Sequence, residues 1–242
     1  MTRSEPMPRE FLDALARVQS RLVKPAQPPR YFPTIGSTND EAAARAGREE
    51  SEGAVFIADA QTSGRGRRGR TWFSPPGAGL YVSMVLTPGR ARAAPERATA
   101  LLTLMAGVAL AEGIEKSTGL APDIKWPNDL LVGRRKLAGI LAEGVTHASG
   151  TGVQAVVLGY GINIMPAAYP AELGDRVTSL ESELGRPIDR AAVCAETLAS
   201  LSERYRDLLD AQYDAILDRW RERAPSRQGA RVAGGRRSAT ST

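Results

Sequence analysis

Residues 64–76 read Gly64-Arg-Gly-Arg-Arg-Gly-Arg-Thr-Trp-Phe-Ser-Pro-Pro76. Gly64, Gly66 and Gly69 satisfy the spacing of a dinucleotide-binding fingerprint, and Gly64 to Thr71 satisfies that of a Walker loop with Arg70 in the lysine position. Each pattern binds phosphate only when a helix begins at once, because the helix N-terminus supplies the donors. Pro75 and Pro76 forbid that helix. The stretch is therefore a loop with three glycines and four guanidinium groups (Arg65, Arg67, Arg68, Arg70), and a doubly wound nucleotide-binding fold does not follow from it.

Outward from the loop, residues 54–58 form a continuous apolar run and residues 80–86 a second one, which predicts strands on either side. Residues 95–118 open at Pro95 and are rich in Ala and Leu, which predicts a helix. Strands are expected over 123–126, 130–132, 136–143 and 153–164, with a turn at Gly133 joining the second and third. Amphipathic spacing predicts a helix over 8–23, ended by the proline-rich stretch 25–33. A shorter helix follows Ser37 and Thr38, with Gly47 suited to its end. Apolar residues at helical spacing over 189–220, capped by Asp189, predict one long helix covering a sheet. Strands and helices mix without regular alternation, so the expected class is α/β (α+β), a mixed central β-sheet flanked by helices.

Composition narrows the function. The chain has 242 residues, 42% hydrophobic and 24% charged, an ordinary globular balance. One cysteine, Cys194, cannot close an intrachain disulfide, and one histidine, His147, cannot build a His/Cys zinc site with the usual ligands. The start of the chain does not read as a signal peptide, so a soluble, cytoplasmic protein is expected. Net charge is +5, but six arginines against Glu222 within 221–242 account for all of it. Residues 1–220 are neutral, and the total does not imply a nucleic-acid-binding face on the body of the protein.

Three stretches carry chemistry. The arginine loop suits a polyphosphate or acyl-phosphate ligand, since guanidinium forks match phosphate oxygens and glycines let backbone close over a ligand. A solvated arginine-glycine loop with RNA affinity is the other reading of the same residues. The second stretch, Lys125-Trp-Pro-Asn-Asp129, runs on to Lys136-Leu-Ala-Gly-Ile140. It offers a tryptophan able to stack on a base, a carboxylate for a metal or hydroxyl, and a lysine beside an apolar strand. Read by itself, it is equally a core tryptophan with a turn and a snorkelling lysine. The third stretch, Gly159-Tyr-Gly-Ile-Asn-Ile164, ends a strand and either lines a ligand or makes a close-packed turn.

Taken together with Gly36-Ser-Thr-Asn39 and Gly79-Leu-Tyr-Val-Ser83, these segments resemble the biotin-protein ligases (biotin-[acetyl-CoA-carboxylase] ligases) in order and spacing over roughly residues 30 to 220. The resemblance implies a catalytic domain like that of class II synthetases. It also implies a ligase that forms a C–N amide bond, converting ATP to AMP and pyrophosphate by way of biotinyl-5′-AMP, then passing biotin to one lysine of a biotin carboxyl carrier protein domain. Mg²⁺ would accompany ATP near Asp129, without a dedicated protein cage.

By this resemblance Ser37, Thr38, Asn39, Gln61, Arg65, Gly66, Arg67 and Lys136 would bind biotin, and Arg68, Arg70, Trp72, Trp126, Asn128 and Asn163 the ATP or adenylate. Arg65, Arg67, Lys136 and Asp129 would be the catalytic set. The chain would divide into a helix and proline-rich lead-in (1–30), a catalytic domain (31–224) and a flexible remnant of a C-terminal small β domain (225–242). The residues before Ser37 are too few for a winged helix-turn-helix, so a monofunctional type without DNA binding is expected, membrane-free and a monomer or weak homodimer. A lipoyl or octanoyl transferase on a related fold and a non-catalytic RNA binder are the competing readings.

Overall fold

The computed structural model describes residues 3–23, 27–46, 51–146, 152–167, 169–170 and 172–224. Gly47, His147 and the expected C-terminal remnant at 225–242 lie outside the described residues. In chain order the elements are α1 (Arg9–Arg17), β1 (Arg30–Phe32), α2 (Thr38–Ala43), β2 (Val55–Ala58), β3 (Gly79–Leu86), α3 (Pro95–Thr118), β4 (Asp123–Lys125), β5 (Asp129–Val132), β6 (Arg135–Thr146), β7 (Val153–Asn163), α4 (Leu180–Leu184), α5 (Arg190–Leu209) and α6 (Tyr213–Arg223). The strands form one open seven-stranded sheet in the order β1-β2-β3-β7-β6-β5-β4. Only the β1–β2 pair is parallel, which makes the sheet mixed, as expected.

Strand β7 shows how the sequence makes two different faces. Val156, Leu158, Tyr160 and Ile162 point into a core shared with α1, α3, α5 and α6, while Ala155 and Val157 join a smaller apolar cluster around α2. Gly159, Gly161 and Asn163 continue that second row, since side chains alternate along a strand. The first face is closed by close helix packing. On α3, a Cβ at Gly113 would stand 2.6 Å from Thr197 Cα of α5, so the two helix backbones meet where there is no side chain. Among the described residues α3 is the one helix long and apolar enough to cross a membrane by length and composition, and it is mostly buried as the central core helix.

Three expectations change. The long helix over 189–220 is two helices: Ala211 takes a left-handed φ of 60°, and Arg92 captures the Leu209 carbonyl (2.8 Å) and pairs with Asp210 (3.1 Å). These tertiary contacts, not a local breaker residue, turn the chain so that Tyr213 and Ile216 of α6 become buried. The N-terminal helix is a helix only over Arg9–Arg17, followed by a short 3₁₀ turn, and Leu12 of its apolar pattern is 53% exposed. The proline-rich stretch delivers the edge strand β1, whose pattern was too short to register.

Candidate active site

The loop opens immediately beyond β2 on the face that carries α2. It is closed as a narrow ribbon: Arg65 bridges Thr71, Gly66 N–H donates to Arg70 O (2.7 Å) and Trp72 N–H to Gly64 O (2.9 Å). The ribbon turns at Arg68 and Gly69 (φ 57° and 70°), and a left-handed Arg68 is a conformation side chains rarely adopt. Arg68 and Arg70 stand exposed at this tip.

Three glycines form the floor beside it. Gly139 pairs with Gly161 across β6 and β7, and Leu141 pairs with Gly159, so Gly139, Gly159 and Gly161 share one face. A Cβ at Gly161 would strike the Trp72 indole nitrogen, one at Gly139 would stand 2.7 Å from Trp72 Cζ3, and one at Gly159 would strike Asn39 Oδ1. The floor is bare so that Trp72 and Asn39 can lie against backbone. The Trp72 Nε1–H is buried and has no hydrogen-bond partner among the described residues.

On the Gly159 side lies a buried polar chain. Gln61 Oε1 accepts from Thr38 N–H (2.9 Å) and lies 3.1 Å from Thr38 Oγ1, and Gln61 Nε2 donates to Ser74 Oγ (3.0 Å). Ser83 Oγ lies 2.8 Å from Thr38 Oγ1 and 2.6 Å from Asn39 Oδ1. Asn39 Nδ2 donates to Glu143 Oε2 (2.7 Å), which also accepts from Arg65 Nη2, and Arg65 Nη1 meets Asp40 at 3.1 Å. Ser37 precedes α2 as its cap by position, buried, with its hydroxyl not bonded to the helix. Tyr81 donates its phenol to Pro75 O (3.3 Å); burial pushes that phenol above its ordinary range, so it holds the loop exit as a neutral donor.

On the Gly161 side cations gather. Lys136 Nζ lies 2.6 Å from Asp129 Oδ1 and 5.1 Å from the centre of the Trp72 ring, and Arg67 Nη1 reaches Asn128 Oδ1 (3.4 Å). Arg67 and Lys136 thus meet the same Asn128–Asp129 turn, which is held by Asn128 Nδ2 donating to Ile140 O (2.8 Å) and Ile140 N–H donating to Asn128 O (2.9 Å). Two residues along one face of a strand are roughly 7 Å apart, so the polar chain over Gly159 and the cations over Gly161 are neighbours.

Ser37, Thr38, Asn39, Gln61, Arg65, Gly66, Arg67, Trp72, Asn128, Asp129 and Lys136 therefore come together around one floor. Asn163 lies on the same face, buried, with its amide donating to Thr178 O (2.9 Å) and thereby tying the segment before α4 to the sheet. Trp126 stands 69% exposed just beyond the end of β4. Sequence reasoning did not single out Ser74, Ser83, Asp40 or Glu143. A signal for Glu143 existed: in β6 the residues Gly139, Leu141 and Glu143 fall on one face, an acid in an otherwise apolar row. Among the described residues no three His, Cys, Asp or Glu side chains cluster to hold a metal ion.

Comparisons with known proteins agree on one family. Residues 31–163 match the Biotin/lipoate A/B protein ligase family. The chain is 40% identical over 192 residues to the bifunctional ligase/repressor BirA of Bacillus subtilis, covering 78% of this chain and 57% of that protein. It is 38% identical over 181 residues to the biotin--[acetyl-CoA-carboxylase] ligase of Paracoccus denitrificans, covering 72% of each. A biotin protein ligase from Aquifex aeolicus, solved in complex with biotin and ATP, superposes with a TM-score of 0.70 at 27% identity, over 82% of this chain and 79% of that one. The chain spans less than two thirds of the length of the bifunctional relatives it matches. With the arginine loop, the glycine floor and the Lys136–Asp129 pair all inside the matched span, the chain belongs to the biotin/lipoate A/B protein ligase family.

Proposed function

We propose that this chain activates biotin with ATP and passes it to a lysine of a carrier domain, of the kind found in acetyl-CoA carboxylase. The observation that carries the reading is the convergence of Arg67 and Lys136 on the Asn128–Asp129 turn, one floor position from a buried chain of amide and hydroxyl groups. The polar chain suits a urea-containing ring, which needs matched donors and acceptors. The cations suit the carboxylate at the other end of biotin and the phosphate it attacks.

In the first step a carboxylate oxygen of biotin attacks the α-phosphorus of ATP. The new O–P bond forms as the bond to the β-phosphate oxygen breaks, and pyrophosphate leaves with that electron pair. Both reactants are anionic, so Arg67 and Lys136 lower the repulsion and hold the oxygens in line. In the second step the carrier lysine attacks the carbonyl carbon, AMP departs and the amine gives up a proton, with no nucleophile drawn from this chain. Mg²⁺ supplies charge neutralisation when it enters with the nucleotide; Asp129 is the carboxylate that would face it, in keeping with the habit of Mg²⁺ of using one or two carboxylates plus phosphates. The loop ribbon excludes water from the mixed anhydride.

Incubation with biotin, MgATP and a biotin carrier fragment, read by intact mass, tests this. One biotinyl group added to the carrier is expected. Addition of a lipoyl group from lipoate, with no biotinyl transfer, overturns it.

A further inference from the structure

We propose that Glu143 is a positioning residue that sets the hydrogen-bond polarity of the ring pocket. Glu143 lies on β6, outside the arginine loop and the Lys136 cluster, and touches Asn39 and Arg65 through the same oxygen, Oε2. This inference rests on the biotin reading above and adds the residue that decides which way the pocket's donors face.

An asparagine amide can sit either way round, and its partners decide. A carboxylate only accepts, so Glu143 requires Nδ2 of Asn39 on its side. Oδ1 then faces Ser83, whose hydroxyl has one proton and donates it to Oδ1 at 2.6 Å. Ser83 shares that proton across the 2.8 Å contact with Thr38 Oγ1, and the Thr38 hydroxyl donates in turn to Gln61 Oε1 at 3.1 Å. Gln61 Oε1 thus accepts from both the backbone N–H (2.9 Å) and the hydroxyl (3.1 Å) of Thr38. Thr38 Oγ1 is left with a spare lone pair, and the pocket presents an acceptor there. A ligand that brings N–H donors, as a urea ring does, is matched; one that brings acceptors there is not.

The bare Gly159 enforces the same geometry, because any side chain there would collide with Asn39 Oδ1 and break the chain at its middle. Arg65 shares Oε2 of Glu143 with Asn39 and has Asp40 as a second partner, so loss of the Glu143 charge does not free the arginine loop.

The test is Glu143→Gln alongside Glu143→Asp, with biotin affinity by calorimetry, separate KM values for biotin and ATP, and melting of the free protein. Gln can donate as well as accept, so Asn39 loses its imposed orientation. Biotin affinity is expected to fall about tenfold, the effect of losing one hydrogen bond to a charged group. The KM for ATP and the melting temperature stay as in the parent, and Asp, which can only accept, recovers part of the loss. Parental biotin affinity in Glu143→Gln, or equal losses for biotin and ATP accompanied by lower melting, overturns the polarity assignment alone. Absence of biotin binding by the unaltered chain overturns the biotin reading as well.

Discussion

The two faces of β7 are made by neighbouring residues of one strand and serve opposite ends. Toward the helices, Leu158, Tyr160 and Ile162 fill space; toward α2, Gly159 and Gly161 leave it bare. On the helix face the missing side chains are on α3, where Gly113 lets α5 approach. The contrast shows what glycine does in each setting: between helices it removes a side chain so that backbones pack, and on the sheet it removes one so that functional side chains from elsewhere can lie down. Stability should reside on one face and chemistry on the other.

The sharpest way to break that division is to cut each face once. Leu158→Ala leaves a hole in the helix-side core and should cost about 2–5 kcal/mol in denaturant unfolding, with biotin affinity of the folded fraction unchanged. Lys136→Ala should do the reverse. Its pairing with Asp129 is partly exposed and contributes little to stability, whereas adenylate formation, followed by pyrophosphate release, should slow on the order of a hundredfold to a thousandfold. A large loss of stability in the lysine variant, or of activity per folded molecule in the leucine variant, ends the division. A finer comparison sets Gly161→Ala against Gly113→Ala. The first should displace Trp72 and lower activity with a modest change in melting; the second forces two helix backbones apart and should cost about 1–3 kcal/mol or more.

The same contrast explains what could be read from the residues alone. The mixed sheet and its core helix α3 were legible because apolar runs and Ala-rich periodicity report burial directly. The break between α5 and α6 was not, because it depends on Arg92 reaching Leu209 and Asp210 from far along the chain. At the site, the arginine loop and the Lys125–Asp129 stretch stood out by residue type. Ser83 and Glu143 did not: each is a polar residue following an apolar run of its strand, and its meaning appears only when strand register aligns β3, β7 and β6 beside α2. The two tryptophans of the expected nucleotide set differ in setting: Trp72 lies on the glycine floor, and Trp126 is exposed just beyond the end of β4.

The smallest effect concerns titration, and at neutral pH it vanishes. On the helix face, burial pushes the Cys194 thiol from its ordinary 9.0 up to about 12 and raises the Tyr160 phenol well above 10.0. Both groups are neutral when protonated, so the folded state holds its protons more tightly than the unfolded chain. Their contribution is complete below pH 9 and is lost as pH climbs toward the folded values, where folding must keep protons that the unfolded chain releases. Unfolding free energy should therefore be insensitive to these groups between pH 7 and 9 and fall above that, on the order of 1 kcal/mol per pH unit from the thiol. Cys194→Ala should make the alkaline decline shallower while leaving biotin affinity unchanged at pH 8, and Cys194 should resist thiol reagents until the protein unfolds. A thiol that reacts at its ordinary rate in the folded protein would place Cys194 within reach of solvent, and the helix face would then no longer be the closed one.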